Sequence, residues 1–254
     1  MTVRAITRAV GPGLVDCALT FLDREPIDLA KAEAQHAAYN EALRHAGAAV
    51  EVLPAATDLP DSVFVEDTAV VFDEAAVLTR PGTPLREREV ASIEAALAAY
   101  RKELLKIVEP GTLEGGDVLR LGRDFYVGIS SRTNEEGFSQ FASIVRGFGY
   151  QATPIEVTGC LHLKTAVTAL DEETLLVNPA WIDAAVLPGI RQLVVPAEEA
   201  FGANALVVNS AVHLSVRWKR TTELVEKSGL PVTALNVSEF EKAEAGLTCL
   251  SLIF

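Results

Sequence analysis

We predict an α/β fold in which about five copies of a ββαβ-type unit surround a central axial site. Five segments of the 254-residue chain share one pattern, in which a polar residue precedes a short apolar strand. The polar residues are spaced 48, 48, 42 and 45 positions apart and are Glu66, Glu114, His162, Asn204 and Cys249. A period near 50 residues marks a closed ring or array of one supersecondary unit, so these five side chains are expected to meet in one cavity.

Short β-branched strands alternate with stretches of helical period along the chain. The strands include VVF, VLTR, DFYVG and LLVN, with turns such as DE, GRD and NS between paired strands. Asp28 is a predicted N-cap, Thr133 and Glu136 have the spacing of a capping box, and Gly229 ends the last predicted helix. The predicted helices, in chain order, cover 29–46, 86–105, 133–145, 180–187 and 219–228.

The repeat predicts a single domain over residues 1–254, since no unit could bury its own apolar face alone. The chain is 49% hydrophobic and 22% charged, which is ordinary for a globular protein with a core of its own. A formal charge of −13 makes nucleic acid an improbable partner, because phosphate binding needs the opposite sign. Neither a signal peptide nor a membrane-spanning run is evident, so no membrane partner and a cytoplasmic location are expected.

Three cysteines without a CxxC pair fit a reducing compartment and leave room for a free reactive thiol. Cys17 and Cys160 are interpreted as small buried hydrophobes. Metal-ligand spacing and phosphate- or dinucleotide-binding patterns are not found, so we expect no metal and no cofactor. The sequence leaves open whether the chain forms a homodimer.

Cys249, His162 and Glu114 together predict nucleophilic catalysis. Each residue alone would more often be structural, as a buried cysteine, a strand histidine or a turn carboxylate. Their common phase in the repeat favours the catalytic interpretation, since a thiol, an imidazole and a carboxylate form an activated-nucleophile set. The other histidines lie out of phase and are interpreted as surface or rim residues: His36, His45 and His213.

The segment DSVFVED, residues 61–67, predicts a guanidinium pocket. Clustered carboxylates beside an aromatic ring suit a planar cation that donates hydrogen bonds from its edge. Arg86 and Arg132 each follow the strand pair of their own unit, and such a pair of arginines could bind a carboxylate. The predicted ligand is therefore arginine-like. The pocket candidates in the acidic segment are Asp61, Phe64, Glu66 and Asp67.

Several motifs resemble those of the dimethylarginine dimethylaminohydrolase family of the guanidine-modifying superfamily. They are PDSVFVED, LTRPG, PGTLEGGD, SRTN, LHLKT and LTCLSLIF, and the resemblance extends from LVD at 14–16 to the last residue. It implies a five-fold pseudosymmetric α/β propeller, or pentein. It also implies that Cys249 is the nucleophile, that His162 is the general acid and base, and that Glu114 orients His162.

The same resemblance implies roles for the ligand-binding residues. Glu66 and Asp67 would hold the guanidinium, Asp61 and Phe64 would line the pocket, and the two arginines would take the α-carboxylate. The family's lid leucine falls at Leu19 if one residue is inserted here, or at Ala18 if not. A backbone carbonyl contact just before the cysteine falls at Ala243.

The implied reaction converts dimethylarginine or monomethylarginine to L-citrulline through a covalent thiouronium on cysteine. An arginine deiminase is the first alternative. Deiminases carry a carboxylate two residues after the catalytic histidine, where this chain has Lys164. A dimethylated nitrogen has no hydrogen to donate, so the loss of that carboxylate fits a methylated substrate. A non-enzymatic propeller that binds a macromolecule is the second alternative.

Overall fold

The computed structural model describes residues 2–254 and contains five small sheets of one topology. Each sheet has three strands, of which the first two are antiparallel and the third runs parallel to the middle one. In chain order the strands are β1 (Arg4–Arg8), β2 (Ala49–Leu53), β3 (Ala69–Val71), β4 (Ala75–Leu78), β5 (Glu103–Lys106), β6 (Val118–Leu121), β7 (Asp124–Ile129), β8 (Gln151–Glu156), β9 (Val167–Ala169), β10 (Thr174–Val177), β11 (Arg191–Val194), β12 (Leu206–Val208), β13 (Ala211–Ser215), β14 (Val232–Leu235) and β15 (Leu252–Ile253).

Helical segments connect the middle strand of each sheet to its third strand. The α-helices are α1 (Leu29–His45), α2 (Val90–Leu97), α3 (Glu135–Arg146), α4 (Leu163–Ala166), α5 (Lys219–Lys227) and α6 (Ser238–Glu241). A parallel pair needs such a crossover, whereas four of the antiparallel pairs are joined by tight turns. The fifth antiparallel pair, β15 with β1, is formed by the two ends of the chain. The turn between β12 and β13 has positive φ at both Asn209 and Ser210, the two-residue geometry that matches strand twist.

The last sheet joins the two ends of the chain, in the order β15-β1-β2. Ala5 pairs with Ile253 in the antiparallel half, and Ala5 pairs with Val50 in the parallel half. The repeat predicted from the sequence therefore corresponds to five equivalent sheets, one of them built from both termini. Each of the five buried clusters draws side chains from two neighbouring units.

The first, third and fifth predicted helices are confirmed in position, whereas the second and fourth differ from the structure. The Asp28 side chain caps α1 by accepting a hydrogen bond from Lys31 N, and α5 matches the prediction within one residue. The prediction of one helix over 86–105 is wrong. A 3-10 turn precedes α2, and residues 103–106 form β5, because their backbone pairs with β4.

The predicted capping box at Thr133 is also wrong. Asn134 is the N-cap of α3, and its side chain accepts a hydrogen bond from Gly137 N. The Thr133 hydroxyl instead donates to a buried carboxylate, Asp117. Near 180–187 the structure has only a short 3-10 turn, Ala184–Val186.

Two histidines interpreted as surface or rim residues are buried. His36 and His213 are 4% and 2% exposed, respectively. Burial lowers the pKa of His36 to about 4, so its ring is neutral among core side chains. His45 is exposed as predicted, while Cys17 and Cys160 are buried free thiols. Within residues 2–254, no helix combines the length and apolar character that crossing a bilayer requires.

Candidate active site

One cavity is lined by the three predicted catalytic side chains. Glu114 ends an extended segment before a 3-10 turn, His162 immediately precedes α4, and Cys249 lies in a 3-10 turn before β15. Each therefore sits where a strand begins, at the equivalent point of its unit. The cavity is lined by Ala18, Asp61, Phe64, Asp67, Arg86, Glu114, Arg132, Leu161, His162, Ala243, Glu244, Ala245 and Cys249.

Not all five axial positions face this cavity. Glu66 and Asn204 are not among its lining residues, and both bond the hydroxyl of Thr248. Glu66 also pairs with Lys164, at 2.6 Å between Nζ and Oε1. The expectation that all five side chains meet in one cavity is therefore wrong for Glu66 and Asn204. Buried polar groups must find partners, and these two find them at Thr248 and Lys164.

His162 and Glu114 form a buried pair. The distance from His162 Nε2 to Glu114 Oε2 is 2.7 Å, and the other Glu114 oxygen accepts a hydrogen bond from Gly82 N at 3.0 Å. Gly116 is required beside them, since a Cβ there would lie 2.7 Å from His162 Nδ1. Gly116, the second glycine of the GGD motif, thus lets the backbone pass close to the imidazole.

Three carboxylates control the charge of His162. Burial by itself would lower the pKa of the imidazole, but Asp67, Asp117 and Glu114 outweigh this effect and raise the pKa to about 9. The pKa of Asp67 is lowered to about 2, because His162 and Arg86 outweigh the effect of its burial. At neutral pH the site therefore holds an imidazolium beside the ionised carboxylate of Asp67.

The Cys249 thiol is partly exposed and is electrostatically disfavoured as a thiolate. Burial raises its pKa above the ordinary value, and the nearby carboxylates of Glu66 and Asp67 raise it further. The N–H of Gly246 and the ammonium of Lys164 oppose this shift. Neutralisation of the carboxylates by a bound cation would favour the thiolate.

The two arginines differ in their surroundings. Arg86 is 5% exposed, and its guanidinium binds Asp67 at 2.7 Å, Glu89 at 3.0 Å and the Phe64 carbonyl at 2.9 Å. Arg132 donates to the hydroxyls of Thr83 and Thr20. The Arg132 side chain is the more accessible, at 11% against 5% exposure. Its partners are neutral hydroxyls, except for Glu114 at 3.7 Å.

The remaining predicted residues divide into those at the cavity and one outside it. Asp61 accepts a hydrogen bond from Ala18 N at 3.1 Å, and burial raises the pKa of Asp61 although Arg86 opposes the shift. Phe64 packs edge-on against Phe240. Leu19 is not part of the lining and packs against the core. Ala18 lies at the cavity instead, as the alignment without an insertion would have it.

Sequence reasoning missed Leu161, Glu244 and Ala245, which also line the cavity. Leu161 and the 244–245 segment flank His162 and Ala243, so proximity in sequence was the available signal. Asp67, Glu114 and His162 offer donor atoms within 4.8 Å of one another, close enough to surround a small cation.

Five equivalent β-sheets with helical connections, and a cysteine, a histidine and a glutamate in one cavity, define a protein of the guanidine-modifying class. The family model described as "N,N dimethylarginine dimethylhydrolase, eukaryotic" matches residues 22–211. The dimethylarginine dimethylaminohydrolase of Streptomyces coelicolor is 38% identical over 251 residues, covering 98% of this chain and 96% of that protein. The chain belongs to the dimethylarginine dimethylaminohydrolase family.

Solved structures agree with this assignment. The Pseudomonas aeruginosa enzyme, a cysteine-to-serine variant complexed with citrulline, superposes with a TM-score of 0.93 at 34% identity, and each chain is covered in full. The N-terminal domain of ArgZ, an arginine dihydrolase from cyanobacteria, has a TM-score of 0.90 at 20% identity and covers 99% of this chain and 97% of its own. The second comparison supports the fold alone.

Proposed function

We propose that this chain hydrolyses Nω,Nω-dimethyl-L-arginine and Nω-methyl-L-arginine to L-citrulline, releasing dimethylamine or methylamine. The observation that carries the proposal is the shared cavity of Cys249, the His162–Glu114 pair and the carboxylates Asp61 and Asp67. Family membership supports the same reaction. The chain is accordingly proposed to be a hydrolase acting on the C–N bond of a linear amidine.

In the proposed complex, the substrate guanidinium lies between the carboxylates of Asp67 and Glu114. Arg132 takes the α-carboxylate, since its guanidinium faces the cavity with mostly hydroxyl partners. The carbonyl of Ala243 is proposed to accept from the α-ammonium, and Ala18, rather than Leu19, to cover the bound ligand. Glu66 would act indirectly, by its charge near Cys249 and by its bond to Thr248.

The proposed chemistry has two halves. The Cys249 thiolate attacks the guanidinium carbon, a C–S bond forms, the bond to the dimethylated nitrogen breaks, and His162 protonates the departing amine. Water then adds to the thiouronium carbon, His162 accepts its proton, and the C–S bond breaks to give citrulline. The bound cation neutralises the nearby carboxylates, so we propose that substrate binding itself favours the thiolate.

The architecture around the site is proposed to be a closed five-fold propeller, or pentein, forming one catalytic domain over residues 1–254. Two features support ring closure: β15 pairs with β1, and buried clusters join each unit to the next, including the terminal unit to the first. Three free cysteines support the proposed cytoplasmic location. A homodimer stays a prediction.

Product analysis tests the proposed function. The purified protein is incubated separately with dimethylarginine and with arginine, and citrulline, dimethylamine and ammonia are measured. We expect citrulline and dimethylamine in equal amounts from dimethylarginine, and much slower ammonia release from arginine. Faster ammonia release from arginine would indicate a deiminase, and no product from either substrate would indicate a binding protein.

A further inference from the structure

We propose that Asp117, the last residue of the GGD motif, is a positioning residue that fixes His162, Glu114 and Arg132 through one buried carboxylate. The proposal rests on the proposed function for its kinetic tests. Asp117 is fully buried and does not line the cavity, so it would act only through its neighbours.

Three hydrogen bonds converge on the Asp117 carboxylate. Oδ1 accepts from the N–H of Leu163, which follows His162, at 2.9 Å. Oδ2 accepts from the hydroxyls of Ser130 and Thr133, at 2.6 and 2.7 Å. The backbone that carries the imidazole and the 130–133 loop are therefore bound to a single side chain.

The two hydroxyls extend this network to the other functional residues. Thr133 Oγ1 accepts from the N–H of Glu114 at 3.1 Å. Ser130 Oγ accepts from the N–H of Arg132 at 3.0 Å and from that of Thr133 at 3.2 Å. Asp117 is thus one hydrogen bond from the segment of His162 and two from the backbones of Glu114 and Arg132.

The network requires an acceptor at both oxygens of residue 117. Each hydroxyl already accepts from a backbone N–H, so its single hydrogen is left to donate to Asp117. Leu163 N can only donate. An ionised carboxylate satisfies all three donors, whereas asparagine would turn its NH₂ group toward at least one of them and leave a buried donor unpaired.

The same carboxylate faces the charge of His162. Burial raises the pKa of Asp117 to about 6, with His162 and the three hydrogen bonds opposing the shift, so the group is ionised at neutral pH. Other titratable groups around the imidazole are Asp67, Glu114, the Cys249 thiol across the cavity and the Cys160 thiol, which donates to the His162 carbonyl. Asp117 adds to the carboxylates that keep the imidazole protonated.

Single substitutions separate the three connections. Thr133→Val removes the contact to Glu114 and is expected to lower kcat with KM nearly unchanged, whereas Thr133→Ser keeps the hydroxyl and restores kcat. Ser130→Ala loosens the Arg132 loop and is expected mainly to raise KM. Asp117→Asn should both lower kcat and raise KM, with kcat reduced by at least about tenfold. In Asp117→Asn, the alkaline limb of the pH profile of kcat, which is set by the pKa of His162, should move to lower pH by about one unit.

Thr168→Val is the matched control. Thr168 is a buried threonine whose hydroxyl also donates to one backbone group and accepts from another, at Ala203 O and Ala205 N. We expect it to lose stability like Thr133→Val while kcat and KM stay unchanged. Equal kinetic effects of the two variants would reduce Asp117 to a structural role and overturn the proposal.

An NMR titration of the His162 ring, assigned with His162→Gly, tests the proposal without any substrate. In Asp117→Asn the midpoint should fall by about one pH unit. An unchanged midpoint in a folded Asp117→Asn protein would overturn the proposal even if the enzyme is active. If the native protein forms no citrulline, the proposed function fails, and the His162 midpoint still decides the role of Asp117.

Discussion

The Nζ atom of Lys164 lies 2.6 Å from Oε1 of Glu66, whose other oxygen accepts a hydrogen bond from the hydroxyl of Thr248, next to Cys249. The two side chains are 19% and 8% exposed. Burial raises the pKa of Glu66, and Lys164 is the main opposing influence. Lys164, at the position where deiminases have a carboxylate, lines a different pocket together with Glu66 and compensates its buried charge.

Removal of Lys164 should destabilise the protein. Lys164→Met leaves Glu66 buried without its cation, and we expect a loss of about 3 kcal/mol in the free energy of unfolding. Urea denaturation measures this loss. Lys227→Met, which breaks an exposed pair with Glu223, is the control and should cost less than about 1 kcal/mol. Equal losses for the two variants would show that the buried pair contributes no more to stability than the exposed pair.

Arg86 and Arg132 should respond differently to alanine substitution. Arg132→Ala removes a group with mostly hydroxyl partners and should raise KM by roughly 10- to 100-fold. Arg86→Ala leaves Asp67 and Glu89 buried without their cation and should cost about 3–5 kcal/mol of stability. Exposed Arg88→Ala is the control in both assays. A stable Arg86→Ala protein with a KM as high as that of Arg132→Ala would instead support a two-arginine clamp.

Glu244 should hold residues 20–22 in place. Its carboxylate accepts hydrogen bonds from the N–H groups of Thr20, Phe21 and Leu22, and its own backbone has a left-handed φ of 59°. Glu244→Ala should speed amide hydrogen exchange at these three residues by about tenfold or more. Exposed Glu172→Ala is the control. Unchanged exchange in Glu244→Ala would remove the holding role.

The free Cys249 thiol should stay protonated at neutral pH. Burial and the carboxylates of Glu66 and Asp67 raise its pKa, so thiolate absorbance in the ultraviolet should appear only above the ordinary value of about 8.5. A non-reacting guanidinium ligand should move the titration to lower pH, since it neutralises those carboxylates. Cys249→Ser provides the baseline. A thiolate signal well below pH 7 without ligand would contradict substrate-assisted activation.

The sequence repeat was sufficient to predict five equivalent units and the convergence of Glu114, His162 and Cys249. It could not predict that Glu66 and Asn204 would be absent from the cavity lining. Their placement depends on Thr248 and Lys164, which become their neighbours only in the folded chain. Backbone phase locates a residue along a unit, whereas burial and hydrogen-bond partners decide which way its side chain points.

Other differences have the same origin. Residues 103–106 continue a helical pattern in sequence but form β5, since pairing with β4 satisfies their backbone. His36 and His213 look polar in sequence, yet burial keeps them neutral in the core. Asp117 gave no signal beyond its place in GGD, because its three donors come from distant parts of the chain.

The covalent role of Cys249 is tested most directly by intact-protein mass spectrometry of acid-quenched turnover mixtures. During turnover of dimethylarginine, we predict a mass increase equal to substrate minus dimethylamine, located on the peptide that contains Cys249. The adduct should be absent from Cys249→Ser, which should also release no dimethylamine. Turnover without any adduct, together with substantial activity in a folded Cys249→Ser protein, would contradict the account.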